Sequence, residues 1–117
     1  MATARVRRGP FQGAWVLGWD LASGETGDAI ECGHLPDKTI QIYGTFATGG
    51  VSLEGACDSV APEWTALRDA AGNAITLITA EYMELCQQNP LLIRAVATTI
   101  TAVSIRIVAT AARMRTA

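Results

Sequence analysis

Lys38–Arg68 reads KTIQIYGTFATGGVSLEGACDSVAPEWTALR. In an extended chain successive side chains point to opposite faces, so Ile40, Ile42 and Phe46 fall on one side and Thr39, Gln41, Tyr43 and Thr45 on the other. That alternation predicts a half-buried strand. Thr48-Gly49-Gly50 then offers residues that tolerate positive φ, and Val51, Leu53, Gly55 and Cys57 alternate with Ser52, Glu54 and Ala56. The pair of runs predicts a β-hairpin with Cys57 turned inward, where a free thiol behaves as a small apolar side chain.

The same grammar extends in both directions. Ala14–Leu21 predicts a strand with Trp15, Leu17 and Trp19 on one face, followed by the polar loop Ser23-Gly24-Glu25-Thr26-Gly27 and a short strand within Asp28–Cys32. Downstream, Pro62–Arg68 reads as a strand with Trp64 and Ala66 inward, and Asp69-Ala70-Ala71-Gly72-Asn73 turns the chain before Ile75 and Leu77 begin another strand. Thr79–Gln88 reads as one or two helical turns with Thr79 as N-cap, ended by Pro90. Leu91–Ala97, with Ile93 in and Arg94 out, and Ala102–Ala109, with Val103, Ile105 and Ile107 in and Ser104 and Arg106 out, complete the set. A helix over Ala95–Arg115 is the open alternative, opposed by its Thr and Ile content.

About eight short strands without long intervening helices predict an all-β fold, a small β-sandwich or jelly roll. The 117 residues suit a single module. Residues 1–12, with Gly9-Pro10 and no periodicity, predict an extended N-terminal arm that orders against a partner, leaving 13–117 as the sandwich domain.

Charge is segregated along the chain. All eleven acids lie between Asp20 and Glu84, a span holding only the bases Lys38 and Arg68 and so carrying a net −9. Arg5, Arg7 and Arg8 precede it, and Arg94, Arg106, Arg113 and Arg115 follow it. Termini emerging together would present a basic patch to an acidic protein surface or to nucleic acid. Aromatics interleaved with bases, as single-stranded nucleic acid requires, are missing, because the aromatic-rich middle is the acidic part.

Chemistry is sparse. Cys32, Cys57 and Cys86 are odd in number and lack CxxC spacing, which fits neither a disulfide framework nor a zinc site and points to assembly in a reducing cytoplasm. His34 is the lone histidine, in a loop, and nothing builds a nucleophile around it. The sequence has no phosphate loop, dinucleotide fingerprint or calcium loop. The expectation is a protein without catalytic residues, cofactor or metal. No secretory leader is expected. The apolar run Leu91–Ala112 contains Arg94 and Arg106, each of which would cost roughly 2.5–3.5 kcal/mol near a bilayer centre, so it is not read as a membrane span.

Several pieces of the middle of the chain together carry a resemblance. They are Gly44-Thr45-Phe46, Val51-Ser52-Leu53-Glu54-Gly55, Asp58, Trp64, Leu67, Asp69, Gly72-Asn73 and Ile93-Arg94. The order resembles a family of small virion structural proteins of tailed bacteriophages, although Ala56-Cys57 stands where that pattern has Ser-Asn and Ala97–Ile100 lacks a glycine-rich turn. The resemblance implies a capsid decoration, or cement, protein of the capsid outer surface, assembled in the host bacterial cytoplasm. Its partner would be the major capsid protein, bound as a homo-oligomer, dimer or trimer, on the shell. Arg5, Arg7, Arg8, Arg113 and Arg115 are then the interface candidates, with Trp15 and Trp19 next. The competing reading is a carbohydrate- or receptor-binding module of a tail fibre or baseplate, in which Trp and Tyr side chains stack on sugar rings. Many copies per particle distinguish the first reading, a few the second.

Overall fold

The computed structural model describes residues 2–9, 13–33 and 35–110. Nine strands form among them: β1 (Arg5–Arg8), β2 (Ala14–Ala22), β3 (Ile30–Glu31), β4 (Asp37–Thr45), β5 (Val51–Ala56), β6 (Thr65–Ala66), β7 (Tyr82–Cys86), β8 (Leu92–Ala97) and β9 (Ala102–Thr110). They make one sheet of order β1-β2-β9-β4-β7 and a second of order β3-β8-β5-β6, with every neighbouring pair antiparallel.

The pairing is nested. β2 pairs β9, β3 pairs β8, β4 pairs β7 and β5 pairs β6. This is one long antiparallel hairpin folded over on itself so that alternate segments fall in opposite sheets, which defines a jelly roll. β1 is added outside β2 as an extra edge.

The alternating residues pack between the sheets. Trp19, Ile40, Ile42, Ile105 and Ile107 from the five-stranded sheet meet Val51, Leu53, Ile93 and Ala95 from the four-stranded one, all buried. Trp19 is the largest of them at 0% exposure. Its Nε1 donates to the Asp28 carbonyl at 2.7 Å, which satisfies the one polar group this indole brings inside. Lys38, only 1% exposed, is the buried charged residue of the core, and its Nζ donates to the Leu35 carbonyl at 3.0 Å.

Several expectations need correction. β4 and β5 are not a hairpin, because β4 lies in one sheet and β5 in the other. Gly49 and Gly50 do not adopt positive φ; they permit close approach. The Gly49 N–H donates to the Thr99 carbonyl and the Gly50 N–H to Thr98 Oγ1 at 2.9 Å, so the β4–β5 crossing is fastened to the β8–β9 crossing beside it. β5 ends at Ala56, one residue before Cys57 could turn inward, and Cys57 is exposed. Within residues 79–88 the chain forms strand β7 rather than helical turns: pairing with β4 satisfies the backbone groups on one side of Tyr82–Cys86 and seats Cys86 in the core. The helical alternative for 95–115 is replaced by β8 and β9 as far as Thr110.

The segment expected as an arm ordered by a partner finds partners inside the chain instead. Arg5–Arg8 pair with Trp15–Gly18, and Ala2 bridges Gly27. A strand so short was invisible to periodicity, since two of its four positions on each face cannot establish a pattern.

Candidate interaction surface

The register fixes what the outer face of the five-stranded sheet displays. One row across the strands reads Arg7, Val16, Val108, Thr39, Leu85, and the next reads Arg5, Gly18, Arg106, Gln41, Met83. A third joins Asp20, Ser104 and Tyr43. The face is therefore basic at the β1 side, mixed in the middle and apolar at the β7 side, where Met83 is 60% exposed and Leu85 38%. Val108, in the centre, is 44% exposed.

Gly18 shapes this face. A Cβ there would collide with the Ile105 carbonyl and the Arg106 side chain, so only glycine lets Arg106 lie flat across β2. Arg106 Nη2 then reaches Asp20 Oδ1 at 2.8 Å, while its Nη1 donates to the carbonyls of Trp19 and Ile105 at 3.1 and 3.0 Å. Ser104 Oγ donates to the same Asp20 oxygen at 2.8 Å, and Arg5 Nη2 approaches Asp20 Oδ2 at 3.4 Å. The Ser104 hydroxyl, and after it the Arg106 guanidinium, hold the Asp20 carboxyl below its ordinary pKa. Through Asp20 the network ties Arg106, and more loosely the exposed Arg5, to the sheet.

Of the residues named from sequence, Arg5, Arg7 and Arg8 are exposed on β1. Trp15 is half-buried on the inner face of the same edge, with the Arg8 guanidinium 5.5 Å from its ring centroid. These four are brought together. Trp19 is not: although it is four residues from Trp15 and on the same face, it lies under the second sheet and belongs to the core. The overhanging edge leaves beside Trp15 an apolar cleft of about 290 Å³ lined by Ala4, Val6, Leu17, Ile30 and Leu35. Arg113, Arg115 and His34 lie outside the described residues.

A second feature faces away from the first. On the outer face of the four-stranded sheet, Arg94 Nε donates to Glu54 Oε1 at 2.9 Å, and its guanidinium stacks 4.2 Å from the Trp64 centroid. Glu54 and Arg94 are cross-strand partners on β5 and β8. Trp64, expected inward, is half-buried here, and Leu67 enters the core in its place. Around the corner, a groove of about 600 Å³ has Gly55, Leu67 and Pro90 as its apolar floor and Asp58, Glu63 and Gln88 on its rim.

The remaining polar groups are used internally. Asp69 accepts from the N–H groups of Ala71 and Asn73, both at 3.0 Å, and from the Tyr82 hydroxyl at 3.1 Å; burial and this carboxylate push the tyrosine pKa far up. Burial also raises the Cys32 and Cys86 thiols, against smaller opposing pulls from Lys38 on Cys32 and from the Gln88 backbone, then Lys38, on Cys86. No group of three or more His, Cys, Asp or Glu side chains able to hold a metal occurs among the described residues.

Sequence reasoning placed Ser104 and Arg106 outward but could not supply their partner. Asp20 is 86 residues from Arg106, and only the β2–β9 register brings them together.

No protein-family model and no curated protein matches the sequence. The fold is similar to that of the crystal structure of the SPBc2 prophage-derived protein YomS, with a TM-score of 0.62. The alignment covers 95% of this chain and 94% of that one at 17% identity, so the likeness is one of fold.

Proposed function

We propose that this chain is a non-enzymatic structural protein of a bacteriophage particle that binds the outer surface of the assembled capsid and stabilises it. The observation that carries the proposal is the outer face of the five-stranded sheet: an open surface with Arg5, Arg7 and Arg106 at one side and exposed Val108, Leu85 and Met83 across it. Such a face suits a protein surface of opposite charge. The end-to-end likeness of fold to a prophage-derived protein supports a phage context, and jelly rolls recur in virion proteins, an argument by analogy of fold. A ligand that binds only the assembled shell stabilises it by mass action, and many weak copies add.

A sugar-binding tail module is the competing reading, favoured by the polar-rimmed groove beside Pro90. The tryptophans count against it. Trp19 is in the core, Trp15 lies under Arg8 and Trp64 under Arg94, and the groove is lined by no aromatic residue.

Co-sedimentation with phage capsids stripped of this protein tests the reading. Saturable binding at a fixed stoichiometry, weakened by salt and by Arg7→Glu, is expected. Absence of binding at low salt, together with binding of a glycan array, would transfer the chain to the tail module reading.

A further inference from the structure

The two edges of the five-stranded sheet are opposite in charge. β1, at one edge, carries Arg5, Arg7 and Arg8 with all four residues exposed. β7, at the other, carries Glu84, with Glu81 immediately before it and Met83 and Leu85 exposed between and beyond them. Neither glutamate nor Arg7 has an ion-pair partner among the described residues. An edge strand presents unpaired backbone N–H and C=O groups and is a template for another strand. On β7 the turn after Arg68 covers only one end, where the Ala70 N–H donates to the Leu85 carbonyl at 2.8 Å. Tyr82–Glu84 is left open, a length comparable to the four residues of β1.

From this we infer that a second copy of this chain occupies the β7 edge, presenting its own β1, so that the five-stranded sheet continues head to tail from one molecule to the next. Charge selects this arrangement over the symmetric ones. β1 against β1 would oppose arginines, and β7 against β7 would oppose glutamates, whereas β1 against β7 sets Arg8, opposite Trp15 on the inner face, on the same face as Glu84, opposite Ile40. The strands alternate in direction across the sheet, so β1 and β7 run the same way and copies in a common orientation would pair them in parallel. A head-to-tail contact of this kind closes into a ring or grows as a filament. It requires no capsid, and stands or falls apart from the capsid reading.

The test is sedimentation velocity on the purified full-length chain over a wide concentration range, at low and at high salt. Association beyond a dimer that weakens with salt is expected, since exposed charges are screened over about 8–10 Å at physiological ionic strength. Arg8→Glu spoils only β1 and Glu84→Lys only β7, and each should weaken association at least about tenfold. Mixing these two variants is the decisive step. Each variant alone opposes like charges, whereas the mixture pairs the native β7 of the first with the native β1 of the second and, by charge reversal, the Glu-bearing β1 of the first with the Lys-bearing β7 of the second, so association should be restored. A wild-type chain that stays monomeric at every concentration, or a mixture that stays monomeric while the wild type associates, would overturn the inference. Circular dichroism verifies folding of both variants, and Arg8→Gln and Glu84→Gln replace any that fails.

Discussion

Arg106 lies across β2 with its guanidinium 2.8 Å from the Asp20 carboxylate, in the space that a side chain at position 18 would otherwise fill. Residues 86 apart in sequence thereby lock the central pair of strands and, through Arg5, the edge strand as well. The folded state holds the Asp20 pKa below its ordinary value of 3.8. A depressed carboxylate pKa contributes stability that is present above the unfolded value and lost as the pH falls through the folded one. Asp20→Asn should therefore cost about 0.5–1 kcal/mol at pH 7, the modest range proper to a partly exposed pair. The gap to wild type should shrink at pH values well below 3.8. Urea titrations at the two pH values measure it, and a gap that is constant with pH would show that the ion pair contributes nothing.

Trp15 and Trp19 share a face of β2 but not an environment, because only Trp19 lies under the opposite sheet. Trp19→Ala should destabilise by about 3–5 kcal/mol, the usual cost of emptying a large aromatic site. Trp15→Ala should cost much less, since this ring is half-buried and touched by Arg8 from outside. Thermal melts of the two variants make the comparison. Equal losses would mean that the Trp15 end of β2 is as much a part of the core as the Trp19 end.

How much of this was legible beforehand follows from the range of each signal. β8 and β9 were placed by simple alternation, with Ile93, Ile105 and Ile107 in and Arg94 and Arg106 out, because each is six residues or longer with one face fully covered. The direction of the β4–β5 link was not legible. Thr48-Gly49-Gly50 suits a hairpin turn and a tight sheet-to-sheet crossing equally, and the choice is made by the Thr98–Thr99 backbone, half a chain away. β7 misled for a different reason. As an edge strand it has three exposed residues in a row, so the period of two is erased where one flank meets solvent. Among the interface candidates, the arginines of β1 kept their exposure while Trp19 did not, since which of two tryptophans lies beneath the second sheet depends on how far that sheet extends.

Lys38 is buried with a single hydrogen bond, to the Leu35 carbonyl. An ammonium has three protons to satisfy, and desolvating it is costly when it lacks a counter-charge. Lys38→Met keeps the aliphatic stem and removes the cost, so stability should be unchanged or raised by about 1 kcal/mol. The urea midpoint reports this. A loss of more than 1 kcal/mol would instead reveal that the ammonium is anchoring the β3–β4 connection.

The three cysteines should divide sharply by reactivity. Cys32 and Cys86 are fully buried, and burial raises their thiol pKa values, which lowers the thiolate fraction on top of blocking access. Cys57 sits just past β5 on the lip of the groove beside Pro90, exposed and free. A thiol reagent at pH 8 should therefore titrate one group of the three rapidly in the native protein and the other two only when the chain unfolds. The slow phase then reads the opening of the core, because Cys86 is held by β7 against β4 and Cys32 by its N–H on the Leu91 carbonyl at 2.9 Å. If Cys86 reacts well before Cys32, β7 detaches locally while the rest of the sandwich holds. If the two react together, at a rate that matches global unfolding, the edge strand is as stable as the sheet to which it belongs.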